Sequence, residues 1–291
     1  MSGRPAIDPA TAAARLDRVR LLVGTYLAVW AAVRLPHHVA VARLDAARWD
    51  GVGPLALLDR PPPAALSIVA AVVLVPAAAA LAAGWRLRLA APAAAGLALY
   101  VTSLDSSWGQ VFHTENLVVL HVLILAGAAA LTVRPDPAFV LRLLAVATAT
   151  TYVLAAVAKL RGAGFEWLTG DALRHHIAND NLRKVVLGAQ WSPIGGWAVA
   201  HGWLFGPLAA LTVGVELGAP LALIGRRAAA VWSGLAWLFH VGVLALMAIG
   251  FPYALSGIAF SPLLPVERLR LPHSLRRTVA PVWSASPSPS R

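Results

Sequence analysis

Lys159 ends the apolar run Tyr152-Val153-Leu154-Ala155-Ala156-Val157-Ala158-Lys159-Leu160, in a chain with only one other lysine, Lys184. An amine desolvated by apolar walls can serve as a general base, whereas an amine at a helix end can also snorkel to the headgroups. Glu216 stands in the middle of the apolar stretch 211–223. A carboxylate there calls for a cation, a proton or a polar cavity, or else it is hydrogen-bonded glue between helices. His240, in Trp237-Leu238-Phe239-His240-Val241-Gly242, reads either as a catalyst or as an interhelical hydrogen-bonder. A further group, His113, Glu115, Asn116 and His121, opens another apolar stretch. His113 and Asn116 share a helix face, whereas His121 is turned about 140° away from Asn116. That is not the i, i+4 pair of a helical zinc site, so no metal is expected, although histidines from separate helices can still converge. The adjacent pairs His37-His38 and His175-His176 point to different helix faces and read as structural or solvated. The chain has no Gly-rich phosphate loop, no G-x-S-x-G elbow and no H-E-x-x-H.

The elements that must position these residues are membrane spans. A helix crossing a hydrocarbon core of about 30 Å needs about 20 mostly apolar residues. Seven stretches meet that description: 19–41, 64–84, 89–104, 113–133, 139–160, 203–225 and 229–250, the third being the shortest. The predicted fold is therefore all-α, a polytopic transmembrane bundle of about seven spans. Residues 1–14 are expected to form a disordered tail, 15–265 the transmembrane domain, and 266–291 a basic Ser/Pro-rich tail. The first apolar stretch is too long for a signal peptide and reads as a retained span. In the loop 161–202, a helix-like stretch near 171–187 and the tryptophans Trp167, Trp191 and Trp197 suggest an interfacial helix over the external mouth of the bundle; an ordinary connector with interface anchors reads equally well. No internal repeat and no broken helix of the transporter kind is visible.

Composition supports this reading. The chain of 291 residues is 59% hydrophobic and 13% charged, with a mean hydropathy of +0.70. A soluble domain carries about 25% charge, so a soluble fold is excluded. The net charge of +11 comes almost entirely from arginines. Arg18, Arg20, Arg86, Arg88, Arg134, Arg226 and Arg227 flank the apolar stretches as topology determinants and headgroup anchors. Without a basic stripe interleaved with aromatics, nucleic acid is not an expected partner; the lipid bilayer is. These arginines favour a cell-membrane protein with its N-terminus in the cytoplasm, and with Lys159 and the 161–202 loop on the extracytoplasmic side. Zero cysteines exclude disulfides, thiolate metal sites and cysteine nucleophiles.

Three stretches, in order, resemble one family. Ala155-Ala156-Val157-Ala158-Lys159-Leu160 followed by Trp167-Leu168-x-Gly170 is similar to a segment of the vitamin K-dependent gamma-carboxylase and of the wider HTTM (horizontally transferred transmembrane domain) proteins. Phe112-His113-Thr114-Glu115-Asn116-Leu117 resembles the family's short His/Asn motif opening a helix. His240 with Ile249-Gly250-Phe251-Pro252-Tyr253 resembles its histidine-bearing helix and the Gly/Phe/Pro turn that ends it. The resemblance covers roughly 15–265 and implies a carboxylase-like lyase. Lys159 would deprotonate a reduced naphthoquinone of the menaquinol kind, whose anion reacts with oxygen to give a base for carboxylation beside a glutamate side chain. His113 or Asn116 would orient the quinol hydroxyls and His240 would hydrogen-bond inside the pocket, with Trp167 and Glu216 also placed at the cofactor. Ala158 stands where the carboxylase has a second lysine, and only a short tail follows Pro265, where the carboxylase carries a large soluble domain. The implied substrate is therefore a small molecule or a peptide presented by another protein, or else the reaction is a different quinone-linked one. From another class, a transporter built around Glu216 and His240, or a non-catalytic scaffold, is the alternative.

Overall fold

The structure is a computed structural model that describes residues 7–270, 282 and 283. The parts of the two expected tails at 1–6, 271–281 and 284–291 lie outside these residues. The long helices are α1 (Pro9–Val41), α2 (Ala64–Ala83), α3 (Leu87–Asp105), α4 (Asn116–Ala130), α5 (Pro137–Ala163), α9 (Phe205–Leu217) and α10 (Arg226–Met247). Between α5 and α9 come α6 (Glu166–Thr169), α7 (Asp171–Val186) and α8 (Pro193–Ala200), and α11 (Pro252–Leu255) follows α10. The described residues contain no strand. Six helical stretches are long and apolar enough to span a bilayer, so the protein is an all-α, multi-pass membrane bundle. Of these six the third, α3, is the shortest at 19 residues, while the fourth apolar stretch yields only α4, whose 15 residues rise about 22 Å. The helix starts only at Asn116, so His113 precedes it and the two do not share a helix face.

Where the sequence treats 15–265 as one domain, packing divides the chain into two compact units. One comprises Met1–Leu144 with Pro265–Arg291, the other Ala145–Leu264.

In the first unit α1 packs along α2, α2 along α3 and α3 along α4. Gly24 permits the closest approach, since a Cβ there would come within 2.6 Å of the Ala82 backbone nitrogen. Asp8 caps α1 by accepting from the Thr11 N–H at 3.1 Å, with Pro9 in the first turn. Residues 9–14 are therefore helical rather than a loose tail, and Ala12 and Ala13 are buried. Arg20 is not a headgroup anchor. It is fully buried, and its guanidinium donates to the carbonyls of Leu81 (2.7 Å) and Ala82 (2.6 Å). Those carbonyls end α2, where Leu81 also accepts from the Gly84 N–H, so the cation both bonds them and opposes the negative end of the helix dipole. The C-terminal residues also belong to this unit's packing. Glu267 receives a two-pronged bond from Arg15 (2.8 and 3.0 Å), and the Asp17 carboxylate accepts from the Val282 and Trp283 N–H groups.

In the second unit α7 and α8 dock on the C-terminal end of α10. The last carbonyls of α10 are each taken by a side chain. Ser192 donates to Ala245, Asn181 to Leu246 at 2.9 Å, and Lys184 to Met247. The Asn181 carbonyl in turn accepts from the Ser192 N–H at 2.7 Å. Trp191, Trp197 and Trp203 are exposed, as interface tryptophans are, but Trp167 is buried. The sixth apolar stretch is broken: α9 stops at Leu217 and the chain continues as a 3-10 helix over Ala219–Leu223.

Candidate functional site

The site is built on α5, α9 and α10. Tyr152 and Lys159 are seven residues apart on α5, two turns, which puts both on one face of the helix. Lys159 is ion-paired with Glu216, the penultimate residue of α9, whose side chain is 3% exposed. The Lys159 ammonium lies 5.5 Å from the ring centroid of Trp167 and 5.5 Å from that of Phe239. Both rings present a negative face to a cation. Lys159 therefore does not snorkel away from the protein, although 22% of its side chain remains exposed. The amine is reached from that open side. A cavity of about 240 Å³ in this unit is lined by Val146, Ala149, Thr150, Val153, Leu154, Pro220 and Leu223, and not by Lys159.

One turn-pair back along α5, the Tyr152 hydroxyl and His240 Nε2 share a 2.8 Å hydrogen bond. Aromatic rings enclose it. Trp232 meets Tyr152 edge-on at 4.9 Å, Phe251 lies 4.8 Å from His240, and Phe260 closes the cluster at 6.3 Å from Tyr152. Trp232 is fixed by its indole N–H bond to the Val215 carbonyl at 2.8 Å, one residue before Glu216. His240 is thus the interhelical hydrogen-bonder of one of its two readings, and it also keeps a polar atom in reserve. Its Nδ1 is buried without a hydrogen-bond partner, and so is Oε2 of Glu216. Unpaired buried polar atoms are uncommon and costly. His240 Nδ1 and Glu216 Oε2 are two of six such side-chain atoms among the described residues of this unit, the others belonging to Trp167, Asp180, Ser233 and Ser261.

Trp167 is held by the short helix α6, where it packs with Ala209 and Val213 of α9. The Gly170 that follows has φ +93° and abuts the Phe205–Gly206 backbone, where any Cβ would collide. The Trp167-x-x-Gly170 spacing therefore has a packing reason: it seats the tryptophan beside the lysine while the chain turns against the start of α9.

Of the residues singled out from the sequence, Lys159, Glu216, Trp167 and His240 come together in the second unit. His113 and Asn116 belong to the first unit and are exposed. His121 is fully buried there and bonds the Leu144 backbone, a packing role. Tyr152 was missed. Its sequence signal was the seven-residue spacing to Lys159, on a face that also carries Thr148. His175 and His176 are exposed on α7. Comparison with protein-family models, with curated proteins and with solved structures gives no match for this chain.

Proposed function

We propose that the second unit is a membrane-embedded proton-accepting site and that the protein is a quinol-dependent, carboxylase-like membrane enzyme, with Lys159 acting as base through its pair with Glu216. The observation that carries this reading is that pair, walled by Trp167 and Phe239, with Glu216 Oε2 and His240 Nδ1 buried and without a hydrogen-bond partner. A reduced naphthoquinone, when bound, supplies a weakly acidic hydroxyl and partitions into the bilayer. The residues fit such a group: two unpartnered polar atoms to meet hydroxyls, and aromatic faces to meet a flat ring. The base is the pair rather than a lone amine. Glu216 takes the proton the pair shares, the Lys159 amine so freed accepts one from a bound hydroxyl, and the ammonium formed holds the anion left behind. Phe239 and Trp167 limit water around the ammonium, which strengthens that attraction. His240 donates or accepts at Nδ1 according to which tautomer its bond to Tyr152 selects. The orientation that accompanies this proposal puts the N-terminus in the cytoplasm and Lys159 with residues 161–202 on the opposite side.

The test is mass spectrometry of lipids extracted from protein purified out of its native membrane. A naphthoquinone should co-purify with the wild-type chain and be lost from the Lys159→Met/Glu216→Leu double variant. No quinone in the wild type, or equal amounts in both, refutes the reading.

One observation favours a second reading, a proton- or ion-coupled transporter. The helix break at Gly218 lies two residues after Glu216, and broken helices beside a buried carboxylate are how transporters build sites. Proton flux in proteoliposomes that disappears in Glu216→Gln while no quinone is bound would select it.

A further inference from the structure

In the first unit, at the ends of α1 and α3, stands a cluster the function above does not use. His37 and His38 occupy the last turns of α1, and Asp105 is the last residue of α3. His38 presents Nδ1 to the Asp105 carboxylate at 3.2 Å, and His37 presents Nε2 to it at 3.8 Å. Adjacent residues on a helix diverge by about 100°. They converge here because one imidazole uses its near nitrogen and the other its far one. The three donor atoms all lie within 4.8 Å of one another.

We propose that His37, His38 and Asp105 form a binding site for a divalent first-row transition metal of the zinc class. Two further observations support it. The Asp105 carboxylate is buried, yet no lysine or arginine among the described residues pairs with it, and its ion-pair partners are the two imidazoles alone. A buried carboxylate needs compensating positive charge, which a bound cation would supply. The donor spacing also suits a metal: ligands about 2.0–2.2 Å from a tetrahedral ion stand about 3.2–3.6 Å from each other. His38 and Asp105 already stand at that distance, and His37 needs only a small side-chain shift. Two nitrogens and one carboxylate leave at least one position for water.

The surroundings fix the buried ligand and leave an entrance. The Trp30 ring packs 5.2 Å from that of His38, and its indole N–H donates to Glu115 at 3.3 Å. Of the His37 side chain, 43% is exposed, so an ion arrives from that side. His38 Nε2 is buried with no hydrogen-bond acceptor, so Nδ1 is the nitrogen with work to do.

The experiment uses full-length protein in detergent, purified without a histidine tag and stripped with EDTA. Cobalt(II) chloride is titrated in while visible absorption is followed, and zinc chloride is then used to displace the cobalt. One saturable equivalent per chain is expected, with the intense d–d bands of a low-coordinate nitrogen/oxygen site. His37→Ala, at an exposed position that leaves the fold intact, should weaken binding at least about tenfold. His38→Gln and Asp105→Asn should abolish it, and His175→Ala should leave it unchanged. No saturable binding by the wild type, or undiminished binding by His37→Ala/His38→Gln with native circular dichroism, overturns the proposal.

Discussion

Lys159 and Glu216 illustrate how a polar pair survives in an apolar unit. Neither charge is tolerable alone, and removing one partner of a buried pair costs about 3–5 kcal/mol because the other is left uncompensated. Lys159→Met should therefore lower stability by about 3 kcal/mol, towards the smaller value because the lysine keeps an open side. The Lys159→Met/Glu216→Leu double variant should recover most of that loss, measured by thermal unfolding in detergent. Recovery of stability without recovery of turnover would separate the pair's chemistry from its structural part. Tyr152→Phe removes the partner of His240 Nε2 and should cost about 1–3 kcal/mol, read by the same melts. At this scale the sequence was informative about which residues matter and silent about their partners. A lysine in a lysine-poor chain and a glutamate mid-span are visible as anomalies. Their union is a property of how α5 and α9 pack, which no local spacing encodes. For the same reason His37 and His38, which diverge on paper, meet at one carboxylate contributed by α3.

At the scale of elements, the helix ends carry the polar work. Arg20 closes α2, and Ser192, Asn181 and Lys184 close α10. Asn181→Ala leaves the Leu246 carbonyl and the Ser192 N–H without these bonds, and should destabilise the second unit by about 1–3 kcal/mol. Faster amide exchange in α7 and α8 would report it. In the first unit Glu267 is coupled to α1. Burial pushes its carboxyl up, but the Arg15 guanidinium and a backbone bond outweigh that and hold it below the usual value of 4.5. A carboxyl so depressed contributes stability above that value and loses it as pH falls through the lower folded one. Wild-type stability should accordingly decline on acidification below about pH 4.5, and Glu267→Gln should flatten that decline in melts run across pH. Helix existence was legible from the apolar stretches, whose limits match the observed ends within a few residues for most spans. The roles of the arginines were not. A guanidinium at a span end reads as a headgroup anchor, and only the proximity of α2 turns Arg20 into a buried cap. The break after Glu216 was hidden because Gly218-Ala219-Pro220 stays apolar and keeps the hydropathy high across it.

At the scale of the whole molecule, six long helices and the shorter α4 raise the question of how many times the chain crosses. α4 crosses only if adjoining residues help it span the core, since about 22 Å falls short of about 30 Å. Because the chain has no cysteine, single-cysteine labelling is free of background. Gly109→Cys and Thr132→Cys should be labelled by an impermeant maleimide from opposite faces of the membrane, and Thr132→Cys only after permeabilisation in the proposed orientation. Composition made the membrane class legible without any structure, since 13% charged residues cannot cover a soluble surface of this size. The division into two units was not legible, because α5 runs through the boundary without any change in its sequence character. The proposed chemistry rests on the second unit alone, so it can be tested with a single conservative change. The measurement is consumption of a reduced naphthoquinone by the protein in lipid nanodiscs, wild type against Lys159→Arg. Arginine keeps the cation opposite Glu216 but cannot share its proton, so turnover should fall about 100-fold or more while the fold persists. Equal turnover in the two proteins would contradict the assignment of Lys159 and Glu216 as the base.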